Sequence, residues 1–136
     1  MHSGMQVLRF PFDHRTDTAS LRHASEKHLR AWQEPDVVDD TLLVVTELIH
    51  NVVQHTGGGG ELVISRPHDV VLVEVSDHSR DLPRLLPADP RRVGGRGMLL
   101  VDAISDGWGT RLSGAGKVVW VRLPAMPAGR SVTRCG

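Results

Sequence analysis

The run from Val37 to Val53 constrains this chain most. Its apolar residues recur at helical spacing, and Leu42, Val45, Leu48, Ile49, Val52 and Val53 mark the side that faces a core. Glu47, Asn51 and His55 recur every fourth residue, so they lie along one slowly drifting face of the same helix. A carboxylate, a carboxamide and an imidazole in a row on so apolar a helix form either a solvated stripe or a functional one. The downstream sequence favours the second. Asp77 ends a strand, an Arg-rich connection follows, and Gly94-Gly95-Arg96-Gly97 opens another helix.

The remaining elements follow from periodicity and turn residues. Val7 to Phe10 reads as a short, half-exposed edge strand stopped by Pro11. Asp17 or Thr18 caps a first helix that runs to about Trp32, with Leu21, Ala24, His28, Leu29 and Trp32 on one face. Glu34-Pro35-Asp36 breaks it, and Asp36 caps the second helix, which Gly57 to Gly60 stops. Those four glycines are either a helix-to-strand turn or a phosphate cradle.

Leu62 to Ser65 and Val70 to Val75 form a hairpin across Arg66-Pro67-His68-Asp69, and the second strand ends at Ser76-Asp77. Asp81 to Arg96 is a Pro- and Arg-rich connection without periodicity, long enough to suggest a lid. Gly97 to Ile104 reads as a short helix. Trp108 to Leu112 and Lys117 to Leu123 close the chain with a second hairpin.

Hairpins dominate this order. The expected architecture is therefore α/β of the α+β kind: a two-layer sandwich with a largely antiparallel mixed sheet and helices on one face. One domain should span residues 1–124. Residues 125–136, rich in Ala, Pro, Gly and Ser, read as a disordered tail.

Charge and composition narrow the function. The formal net charge is +0, so there is no global basic footprint for nucleic acid. With no Tyr and few other aromatics, a base-stacking platform is also disfavoured. The single cysteine, Cys135, allows no internal disulfide, in keeping with a reducing, cytoplasmic setting. No apolar run reaches membrane-spanning length, and the first residues do not resemble a signal peptide.

The remaining motifs point towards phosphate chemistry. Gly95-Arg96-Gly97 before an apolar helix offers bare backbone N–H groups at the positive end of a helix dipole. It is neither a Rossmann fingerprint nor a P-loop, because the third glycine and the Gly-Lys-Ser/Thr are both missing. Arg80, Arg84, Arg91, Arg92 and Arg96 form either a solvated basic loop or a partner for polyphosphate, since guanidinium forks pair with phosphate oxygens. Asp77 is either a turn residue or an acceptor for an exocyclic amine. Asn51 can give one oxygen to a magnesium ion that keeps most of its ligands as water and phosphate. Glu47, one turn earlier, can polarise a hydroxyl or water. His55 can reach phosphate or simply finish the helix.

The ordered set Glu47-x-x-x-Asn51 on a helix, Asp77 after a strand and Gly95-x-Gly97 opening a helix resembles the Bergerat ATP-binding fold. Gyrase B subunits, MutL and sensor histidine kinases share that fold. Within it, the small size resembles the anti-sigma-factor serine kinases and their actinobacterial relatives. The phrases from Val44 to His55, Gly94 to Asp102 and Gly116 to Pro124 carry this likeness, which spans about residues 6 to 124.

The resemblance implies ATP and Mg²⁺, with Glu47 as general base, Asn51 as metal ligand and Asp77 as adenine reader. It places His55, Ser79, Arg92, Gly94, Gly95, Arg96, Gly97 and Met98 around the nucleotide. It implies transfer of the γ-phosphate to a serine of an anti-anti-sigma (STAS-type) partner, binding of a sigma factor, and compatibility with a homodimer. A partner-binding switch without catalysis is the alternative. Two departures bear on the base pocket. Ser79 stands where the family often has the glycine of Asp-x-Gly. Val118 stands where it often has the threonine of Gly-x-Thr, which removes a hydroxyl.

Overall fold

The computed structural model describes residues 6–56, 59–77, 95–114 and 116–125; the side chains of 54–56 and 95–98 fall outside that description. Five strands and three helices alternate along it: β1 (Val7–Phe12), α1 (Thr18–Trp32), α2 (Pro35–Thr56), β2 (Gly60–Ser65), β3 (Val70–Asp77), α3 (Gly95–Ile104), β4 (Gly107–Ser113) and β5 (Gly116–Pro124). The strands form one sheet in the order β1-β2-β3-β5-β4, and all four pairings are antiparallel. The expected two-layer α+β sandwich is the observed one. The sheet has no parallel pair, because every neighbouring pair runs antiparallel, including β3 and β5, which α3 and β4 separate in sequence.

Alternation decides which face is covered. Val71, Val73 and Val75 on β3 are fully buried, as are Leu62 and Ile64 on β2 and Val121 on β5. The register sets Val73 beside both Ile64 and Val121, so these residues share one face. α2 lies against that face on β3 and β5, with α1 and α3 packed beside it. Val38, Val44 and Val45 are fully buried, and Leu48, Ile49 and Val52 are nearly so. α2 thus buries the apolar side that faces the sheet and leaves a partly exposed strip on the other, as an amphipathic helix must.

Two boundaries and one helix face depart from expectation. β1 continues through Pro11 to Phe12. It is an edge strand, and a proline without an N–H is tolerated where only one side of the strand is paired. α2 begins at Pro35 rather than after Asp36. Proline suits the first helical position because the N–H it lacks would have no partner there. The amide of Val38 donates to the Glu34 carbonyl at 3.1 Å, so Glu34 takes the cap position and Asp36 lies in the first turn. On α1, His28 is exposed and Ser25 is buried in its place, with its hydroxyl donating to the Leu21 carbonyl at 2.9 Å. Asp17 caps α1 as expected, accepting from the Ala19 amide at 3.1 Å.

The acidic start of α2 carries a cost. Burial, and then the neighbouring charges of Asp36 and Asp39, raise the pKa of the half-buried Asp40 above its ordinary value. The folded chain therefore holds this proton to higher pH than the unfolded chain. The cost appears as pH rises through the raised value and vanishes below the ordinary carboxylate range. Asp40→Asn should stabilise the protein at neutral pH by less than about 1 kcal/mol and do nothing in stronger acid. Urea melts at the two pH values check both halves.

Candidate functional site

Glu47 and Asn51 lie on α2 one turn apart, both half-buried, while Leu48, Ile49 and Val52 between and beside them are buried. Between Thr41 and Val53 the helix shows a partly exposed strip, Leu43, Thr46, Glu47, His50, Asn51 and Val53, and buries its other residues. Among the described residues, no side chain forms an ion pair with Glu47 or a hydrogen bond with the Asn51 carboxamide. The backbone of α2 extends through His55, whose side chain lies outside the described residues.

Only three residues separate the C-terminal end of α2 from the start of β2, which keeps the strip near one end of the sheet. At that end Gly60 pairs with Asp77, and Asp77 pairs with Lys117 on its other side. The approach of β2 to β3 is very close here. A Cβ at Gly60 would lie 1.7 Å from the Ser76 carbonyl oxygen, and one at Gly59 would lie 2.3 Å from the Phe12 carbonyl oxygen. Two of the four glycines are thus explained by backbone packing. The Ser76 hydroxyl reinforces the same corner by accepting from the Glu61 amide at 3.0 Å.

Asp77 continues the inward-facing series Val71, Val73, Val75, and Lys117 continues the series Leu123, Val121, Val119. Both polar side chains therefore turn towards the helices. Lys117 Nζ lies 3.0 Å from Asp77 Oδ2, and the two side chains are 4% and 2% exposed. This buried ion pair was not anticipated. Val118 pairs with Ser76 and Arg111 on the opposite face, so a residue at 118 points away from the Asp77 carboxylate. The inward turn of Asp77 was legible in the alternation of Val71, Val73 and Val75, whereas the face taken by Lys117 was not, because residues 118–121 are apolar on both faces.

α3 starts at Gly95, so Gly95, Arg96 and Gly97 form its first turn, where backbone N–H groups have no partner within the helix. Val101 anchors α3 in the core, and the Trp108 indole donates to Asp102 at 3.0 Å, tying α3 to β4. Leu99 and Leu100 remain exposed. Ser79, Arg92 and Gly94 lie outside the described residues, as do the side chains of Arg96 and Met98 and residues 81–94 of the expected lid. The structure thus brings Asp77 and Lys117 into contact. It places Glu47 and Asn51 together on the helix that runs towards the same end of the sheet.

No helix among the described residues is long and apolar enough to cross a membrane. No curated protein matches the chain. A family model described as the histidine kinase-like ATPase domain matches residues 10–123, which takes in every strand and helix of the fold but the two ends of the sheet's edge and closing strands. The chain belongs to the histidine kinase-like ATPase domain family.

Proposed function

We propose that the chain is an ATP-binding regulatory protein that acts as a protein-serine kinase, phosphorylating an anti-anti-sigma-type partner and binding a sigma factor through a separate surface. The supporting observation is α2, where Glu47 and Asn51 sit one turn apart on the partly exposed strip of a helix whose other side is buried.

The phosphate and metal end suits these residues. Asn51 presents a neutral carbonyl oxygen, sufficient for a Mg²⁺ ion that keeps waters and phosphate oxygens as its other ligands. The first turn of α3 presents N–H groups and the positive end of a helix dipole to anionic oxygens. Mg-ATP, when bound, supplies the transferable phosphoryl group and the metal charge that offsets the charge developing on it. Glu47 accepts the proton of an incoming serine hydroxyl at its carboxylate, and the apolar residues flanking it limit water around that carboxylate. The base end does not suit simple adenine reading, because Asp77 is enclosed and held by Lys117.

That ion pair also favours a second reading, a partner-binding switch that does not transfer phosphate. Incubating the purified protein with Mg-ATP and candidate anti-anti-sigma partners separates the two. Phosphoserine on a partner supports the kinase, and stable complexes with no transfer support the switch.

A further inference from the structure

Lys117 engages Asp77, the carboxylate that the nucleotide-site reading assigns to the base. The pair lies in the inward-facing layer, flanked by Val75 and Val119, with both side chains almost wholly enclosed. An exocyclic amine is a neutral donor. To take Asp77 from Lys117 it would have to replace a charge-assisted contact with a weaker one and leave a buried ammonium without its counter-charge. That exchange is unfavourable for any base. Nor can Lys117 move aside cheaply, since its ammonium would have to leave a site in which the side chain is 4% exposed.

We propose that Lys117 is a specificity-determining residue: it stands in for the amino group of the base, so that this chain holds a nucleoside triphosphate by its phosphates and metal without selecting adenine. The inference rests on the nucleotide-site reading above and adds which part of the ligand is read. The phosphate end keeps its residues on α2 and α3, whereas the carboxylate at the base end already lies against Lys117. Affinity then follows the triphosphate and Mg²⁺, which every nucleoside triphosphate shares.

The test is equilibrium binding of Mg-ATP, Mg-GTP and Mg-CTP to the full chain and to Lys117→Thr, by calorimetry. Wild type is expected to bind the three within a few-fold of one another. Lys117→Thr replaces the ammonium with a short hydroxyl and frees Asp77 to accept from adenine. It is expected to prefer ATP over GTP by about tenfold or more, the worth of one hydrogen bond to a charged group. Binding of ATP by the variant alone would overturn it, because wild type would then not be held by the triphosphate and metal.

A tenfold or greater preference for ATP in wild type overturns it, as does a folded Lys117→Thr with unchanged selectivity. The wild-type panel decides the matter even if the variant does not fold. If wild type and a folded variant bind no nucleotide at all, the nucleotide-site reading fails and takes this inference with it. If wild type binds ATP tightly and selectively, only this inference fails.

Discussion

Asp77→Ala is expected to destabilise the protein by about 3–5 kcal/mol, the usual cost of removing one partner from a buried ion pair. The magnitude comes from what is left behind. Lys117 would keep its ammonium in a layer of valines, with its side chain 4% exposed. The double variant Asp77→Ala/Lys117→Met removes both charges and should recover most of that loss, because apolar replacement of a buried pair is often neutral or stabilising. Denaturant melts of the two variants and of wild type measure the difference. A single variant that costs less than about 1 kcal/mol would show that the pair is solvated. A double variant as unstable as the single one would show that Asp77 matters for some reason other than its charge.

The second large effect concerns catalysis. Glu47→Ala should slow phosphate transfer to a partner by roughly 10²–10⁴, the usual contribution of a positioned base, and leave nucleotide affinity nearly unchanged. Asn51→Ala should weaken Mg-nucleotide binding and abolish transfer together, because the metal ligand serves both. The contrast is informative because the two residues share one face and one degree of exposure, so a merely structural effect would strike them alike. Transfer at the wild-type rate by Glu47→Ala would remove the role assigned to it. Loss of transfer and binding together in Glu47→Ala would instead place it at the metal.

Periodicity carried most of the fold. The apolar repeat of α2 and the two hairpins were legible because each rests on neighbours in the chain, and together they imply an antiparallel sheet with helices on one face. Proline misled twice. It reads as a breaker in isolation, yet Pro11 sits on an edge strand and Pro35 begins a helix, and only the tertiary arrangement distinguishes these cases. His28 was placed in the core by spacing alone. The helix turns the smaller Ser25 inwards instead and satisfies its hydroxyl at the Leu21 carbonyl.

The candidate site was half legible. Glu47 and Asn51 follow from a local repeat. The Asp77–Lys117 contact is non-local and depends on register. Residues 116–123 form an almost unbroken apolar run apart from Lys117 and Arg122, so the sequence does not say whether 117 or 118 turns inwards. A slip of one residue exchanges the two faces. The pairing of Val119 with Val75 settles it, and with it the identity of the residue that meets Asp77.

The central claim is that α2 and the first turn of α3 form a nucleotide site that exists only in the folded chain. The most direct test is the thermal melt of the purified protein with and without Mg-nucleotide. A ligand that binds only the native state, at 100 times its dissociation constant, adds about 2.7 kcal/mol. The expected result is a rise of several degrees that saturates with nucleotide, requires Mg²⁺ and is lost in Asn51→Ala. A melting temperature that millimolar Mg-ATP and Mg-GTP both leave unchanged would contradict it.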